Sequence, residues 1–255
     1  MLTAITAACD AAAAKNVVLL PGAEEESSNR GLEKWTLDLQ RKYNTASRGR
    51  AVVYTTYQCY LKGTPTRLAH HLETAQKEGF IAGVKLVRGA YLASEPRNLI
   101  WEDKEGTDAC YDLCAEALLK QQWTPDISAS SPGTPFPCVD IILATHNAST
   151  IRKAQNIRTQ QLSSQPPELL PRLAYIQLLG MADELSQALV HDQGKSADPQ
   201  ARIVKCMTWG TTTECLNFLL RRASENKEAA MRTEDTRRAM GIELWRRMKS
   251  VLGLA

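Results

Sequence analysis

Short runs of β-branched and apolar residues alternate along this chain with longer stretches whose apolar positions recur at helical spacing. VVLL (17–20), AVVYTTYQCYL (51–61), AGVKLVRGAYL (82–92), CVDIILATHN (138–147), LAYIQLLGM (173–181) and RIVKCMTWG (202–210) read as strands. LEKWTLDLQRKY, TRLAHHLETAQKEG, TDACYDLCAEALLKQQ, STIRKAQNIRTQQL, ADELSQALV and TECLNFLLRRASEN read as the helices between and after them. Thr107 and Ser149 stand where helix N-caps are expected. Strict alternation of strand and helix predicts a parallel sheet covered by helices. No G-x-G-x-x-G follows the first strand, so a doubly wound dinucleotide fold is disfavoured. An α/β architecture of the (β/α)8 TIM-barrel type is favoured instead, and its site is built at the C-terminal ends of the strands.

The pattern supplies about six β/α units rather than the eight of a full barrel. It predicts one barrel domain over residues 1–255, shortened at its N-terminal side by two strands, with only a weak helical segment (2–15) ahead of VVLL. TPDISASSPGTPFP (124–137) reads as an exposed loop insertion, and SSQPPELLP (163–171) as a short connector. Residues 233–255 hold a basic amphipathic helix with Met240, Leu244, Trp245, Met248 and Leu252 on one side. That side either packs against the barrel or rests on a membrane surface.

Composition narrows the function classes. At 255 residues, 44% hydrophobic and a net charge of +3, the chain has a globular composition and no electrostatic case for nucleic acid. Its seven cysteines are scattered and form no C-x-x-C pair, which predicts buried reduced thiols rather than a disulfide framework or a zinc site. No apolar run is long enough to span a bilayer, and MLTAITAACDAAAAKN carries no visible targeting segment.

Polar residues gather at the strand ends: Gln58, Lys85, Arg88, Tyr91, His146, Asn147 and Gln177. The helix after the last strand adds Arg221, Arg222 and Glu225 on the face that also carries Phe218, opposite a stripe of Leu216, Leu219, Leu220 and Ala223. By itself that face is either a solvated surface or a cationic wall turned to a ligand. Lys85 and Arg88, three apart on a strand, point to opposite faces, one towards the lumen and the other towards a helix acid. His146 fits a site or a structural role equally. There is no serine–histidine–acid order, HExxH, P-loop or paired acid. A donor-rich set without a nucleophile points to an anionic ligand or cofactor that carries the chemistry itself, with no catalytic side chain and no metal.

TYQCYLK, KLVRGAYL, ATHN, IQLLGMADELS and FLLRRASENK, in this order, resemble the proline dehydrogenase family, with KCMTWG and LLRRASEN of a fungal cast. The resemblance runs from about Val17 to Arg232. It implies a barrel with FAD at its C-terminal mouth, oxidising L-proline to 1-pyrroline-5-carboxylate by hydride transfer to the flavin. A quinone would take the electrons, at or near the mitochondrial inner membrane. Arg221 and Arg222 would hold the proline carboxylate, with Tyr91 and Leu179 around the ring. Gln58, Lys85, Arg88, Gly89, His146, Asn147, Gln177 and Glu225 would line the flavin. Two positions depart from the family pattern: Pro21-Gly22, where an aspartate is usual, with Glu24 and Glu25 as nearby acids, and Cys206, where many members have tyrosine. Alternatives are a dehydrogenase of another cyclic imino acid, such as hydroxyproline, and an inactive family fragment acting through protein contacts.

Overall fold

A computed structural model describes residues 2–22, 25–193, 201–225 and 233–251. Two helices, α1 (Leu2–Ala14) and α2 (Glu26–Tyr43), precede a run of strand–helix units. These are β1 (Thr55–Gln58) with α3 (Thr64–Glu78), β2 (Ala82–Val87) with α4 (Lys104–Lys120), and β3 (Val139–Ala144) with α5 (Ala148–Leu162). They continue as β4 (Arg172–Leu178) with α6 (Asp183–Gln193) and β5 (Arg202–Cys206) with α7 (Thr212–Glu225), and α8 (Thr233–Val251) follows. All five strands are parallel and lie in the sheet in chain order, β1-β2-β3-β4-β5.

The alternation of side chains along each strand assigns its faces. Val84 and Leu86 of β2, Val139, Ile141 and Leu143 of β3, and Leu173 and Tyr175 of β4 enter the layer beneath the helices. There they meet Leu68 and Leu72 of α3, Tyr111, Leu118 and Leu119 of α4, and Ile151 of α5, all of them buried. Each such aliphatic side chain contributes about 1.5–3 kcal/mol of burial. On the inner face, Tyr54, Ile142, Ala174 and Ile176 gather with Val18 and Leu20 in a separate cluster.

Several expectations change. VVLL is not a strand but one parallel bridge, Leu19 to Val53, held by Leu19 N to Val52 O (2.7 Å) and Tyr54 N to Leu19 O (3.0 Å). Pro21, which has no N–H, follows directly and cannot extend a ladder. The remaining five predicted strands all form but are shorter, because their polar C-terminal residues leave the ladder to build the rim. Among the described residues β1 and β5 do not pair, so the sheet is an arc rather than a closed cylinder.

The helix caps move as well. Asp103, not Thr107, caps α4, its side chain accepting from Gly106 N, and Asn147, not Ser149, caps α5. Asp and Asn reach the first free N–H groups with less loss of freedom than a residue already inside the turn. The 124–137 segment is not simply exposed: Ile127 is buried, the Trp123 and Phe136 rings pack at a tilt with centroids 4.9 Å apart, and Trp123 Nε1 donates to Thr134 O at 2.8 Å. Nor does α8 pack its apolar side on the barrel. Met240, Leu244, Trp245 and Met248 are exposed, and Leu252 lies outside the described residues. Among the described residues no helix is long and apolar enough to cross a membrane.

Candidate cofactor and substrate site at the strand ends

Lys85 occupies an inner-face position of β2, between Val84 and Leu86, which point the other way into the core. Burial pushes its ammonium below the usual lysine range and the Arg222 guanidinium adds to this, while the Cys206 thiol works in the opposite sense. The charges of Cys206 at the end of β5 and of Arg222 on α7 are therefore felt at Lys85 on β2. Two cations brought this close repel unless an anion lies between them. Among the described residues no carboxylate forms an ion pair with Lys85.

The orientation of α7 explains how Arg222 gets there. Phe218 and Arg222 are half-buried, the guanidinium 5.3 Å from the Phe218 ring centroid, whereas Leu216, Leu219 and Leu220 are 54%, 52% and 67% exposed. Of this face, the described members Phe218 and Arg222 are the more sheltered, and the leucine stripe is the more exposed. Arg221 and Glu225 belong to the same helix by backbone, and their side chains lie outside the described residues.

Arg88 takes the other side of β2, as the spacing predicts. Its Nε donates to Asp108 Oδ1 at 2.6 Å, Nη2 to Thr150 Oγ1 at 3.0 Å and Nη1 to Thr145 Oγ1, and the guanidinium lies 4.4 Å over the Tyr111 ring. Burial would raise the Asp108 pKa, but Lys104 and Arg88 outweigh it and hold the carboxyl below the ordinary range. Arg88 thus ties the end of β2 to α4 and α5. Gly89 has φ +141°, and a Cβ there would meet the Tyr60 ring at 2.0 Å, so only glycine lets the chain turn against Tyr60.

The Gln58 side chain, at the end of β1, accepts from Ala90 N at 3.2 Å and sets the start of the 89–91 turn. Half-buried Tyr91 accepts from Glu95 N through its carbonyl at 2.9 Å. Buried Glu95 in turn accepts from the Tyr60 hydroxyl (3.0 Å) and Glu26 N (2.8 Å), and Glu25 accepts from Ser94 Oγ. The loop is thereby anchored to the start of α2. Of the two acids beside Gly22, Glu25 is engaged in this way and Glu24 lies outside the described residues.

On β3 and β4, His146 Nε2 accepts from Leu178 N at 3.0 Å. Asn147 Oδ1 accepts from Ser149 N (2.9 Å) and Thr150 N (3.2 Å). Gln177 is buried on the helix side of β4, donating to Thr145 O at 3.3 Å and accepting from Ser186 Oγ of α6 at 3.1 Å. Leu179 is exposed.

Gln58 and His146 thus stand at the C-terminal ends of β1 and β3, Lys85 lies on the inner face of β2, and the charge of Arg222 from α7 is felt at Lys85. The structure uses Arg88, Gly89, Asn147 and Gln177 to shape the strand-end rim, where Leu179 is exposed beside the end of β5. A rim rich in donors and poor in carboxylates fits an anionic group such as a phosphate-bearing flavin or an amino-acid carboxylate. Sequence reasoning missed Asp108, Thr145, Thr150 and Glu95. Asp108 had one local signal, its place four residues after Lys104; the others are recognisable only once loop and sheet are assembled.

The proline dehydrogenase family model matches residues 3–235. The fission yeast protein Probable proline dehydrogenase, mitochondrial (Schizosaccharomyces pombe), is 34% identical over 240 residues, covering 90% of this chain and 46% of that protein. Human Proline dehydrogenase 1, mitochondrial, is 31% identical over 242 residues, covering 92% and 36%. Mouse Hydroxyproline dehydrogenase is 33% identical over 245 residues, covering 93% and 49%. The chain therefore spans half or less of the length of these relatives. Among solved structures, proline utilization A from Bdellovibrio bacteriovorus, inactivated by N-propargylglycine, superimposes with a TM-score of 0.64 at 21% identity, covering 86% of this chain and 21% of that one. That likeness concerns the fold, a parallel α/β sheet of the barrel type. Motifs, sheet and family match converge, and the chain belongs to the proline dehydrogenase family.

Proposed function

We propose that this chain binds FAD and oxidises L-proline to 1-pyrroline-5-carboxylate. The observation that carries the reading is half-buried Lys85 on the inner face of β2, its ammonium disfavoured by burial and by the charge of Arg222, with no described carboxylate paired with it. In this reading Lys85, Gln58 and His146 meet the cofactor directly, and Glu225 joins them from α7. Arg88, Gly89, Asn147 and Gln177 hold the turns that carry the contacts. FAD supplies the hydride acceptor.

The protein's part is binding and orientation. Arg221 and Arg222 fix the substrate carboxylate through charge-assisted hydrogen bonds, and Tyr91 and Leu179 enclose the ring as the loop settles on it. Excluding water strengthens both arginine contacts, because each acts in a lower dielectric. The electrons then pass to a quinone in the mitochondrion. The exposed apolar residues of α8, with Arg246 and Arg247 beside them, support a peripheral contact with the inner membrane.

The test is to load the purified chain with FAD and add L-proline without oxygen. Bleaching of the oxidised flavin band, with hydroxyproline weaker at equal concentration, is expected. A chain that takes up no flavin is the inactive-fragment alternative, and stronger bleaching by hydroxyproline reassigns the substrate. Arg222→Met should raise KM at least tenfold, since a charged hydrogen bond contributes about 1.5–3 kcal/mol. An unchanged KM would remove Arg222 from the carboxylate site.

A further inference from the structure

Cys59, the residue after β1, and Cys110 and Cys114, one turn apart on α4, converge in the layer between sheet and helices. Their three Sγ atoms lie within 4.8 Å of one another, and the residues are 0%, 4% and 0% exposed. Neighbouring side chains belong to the main apolar core, among them Tyr57, Tyr111 and Leu118. The buried indole Nε1 of Trp101 adjoins Cys110. A cluster of this kind exceeds what an apolar core needs, since a single buried thiol packs as a small hydrophobe without polar neighbours.

Three thiolates around a metal at about 2.3 Å lie roughly 4 Å from one another in a trigonal plane. The observed spacing reaches that with small side-chain rotations. Among the described residues no histidine or carboxylate joins the three sulfurs. Zinc prefers four ligands, whereas soft monovalent ions accept three sulfurs.

We propose that Cys59, Cys110 and Cys114 form a buried three-sulfur site for a soft monovalent metal ion of the copper(I) class, separate from the inner-face site. Binding is ligand exchange without redox change: as sulfur–metal bonds form, the coordinating thiols release their protons to solvent. The site has a mechanical consequence. Cys59 follows Gln58, which sets the 89–91 turn, and α4 carries Asp108, which holds Arg88. A bound ion fastens these two supports of the rim to each other.

The test uses the full chain with exposed Cys138 and Cys206 and half-buried Cys215 alkylated under native conditions. Anaerobic titration with chelator-buffered copper(I) should transfer one equivalent, and X-ray absorption should give three sulfur neighbours. Cys110→Ala should abolish transfer, and Cys9→Ala, in a different cluster, should not. Should Cys110→Ala fail to fold, the wild-type stoichiometry and coordination decide alone. Transfer of less than half an equivalent, two-sulfur or nitrogen coordination, or zinc displacing copper(I) from the site would each overturn the proposal.

Discussion

At the scale of single residues, burial sets the protonation behaviour of the core. Tyr57 and His71 share a 2.7 Å hydrogen bond under α3, and burial, assisted by His70, Arg67 and Arg41, lowers the His71 pKa to about 4. The unfolded chain therefore binds a proton at this histidine between about pH 6.5 and 4, while the folded chain does not. Its contribution to stability is fully present above pH 6.5, falls as pH drops through this window, and is lost below 4. The full span is about 3 kcal/mol. Urea unfolding from pH 7 to pH 4 should show this loss, and His71→Phe should flatten that part of the profile; an identical slope in the variant would assign it elsewhere. The same physics separates Lys85 from Arg88. Both are strand-end cations in the sequence, yet burial disfavours the ammonium of one on the inner face, while each guanidinium nitrogen of the other donates to Asp108, Thr145 or Thr150.

At the scale of elements, helix starts double as rim supports. Asn147 caps α5 with two backbone N–H groups and also directs its amide towards Asp108 at 3.4 Å. Asn147→Ala should cost about 1 kcal/mol of stability, read from the shift in a denaturation midpoint. It should also loosen flavin retention in equilibrium dialysis, through the Arg88 network. A variant that loses stability alone would leave Asn147 a purely structural cap. Much at this scale was legible beforehand. The period-two alternation in KLVRGAYL put Lys85 and Arg88 on opposite faces, and the segment after each strand announced its helix. What was illegible shares one cause, distance along the chain. Nothing local says that Cys59 meets Cys110, that Glu95 returns to α2, or that Gln177 turns outward to Ser186. VVLL has the composition of a strand, and only the proline after it and its single neighbour reduce it to a bridge. In FLLRRASENK the helical wheel gave two faces but could not say that the leucine stripe would be the exposed one.

At the scale of the molecule, the parallel arc ends at β5, whose burial alternates between exposed and half-buried, unlike the nearly continuous burial of β3. Beside it, Val204, Met207, Trp209, Leu216, Leu219 and Leu220 form an exposed apolar band. Such a band, next to unpaired strand edges, favours association. Sedimentation at rising concentration should show self-association, and Leu220→Glu should weaken it by about ten- to a hundredfold, the equivalent of one buried leucine. Unchanged association would place the contact elsewhere. The strand order carries a different implication for how the molecule is made. Because among the described residues each strand pairs with its neighbours in the chain, each β/α unit can dock on the one just synthesised, without waiting for distant segments. Assembly then proceeds as accretion from β1 towards β5. Amide exchange should record that history in reverse, with protection deepest at β2 and β3 and fading strand by strand towards the last one added.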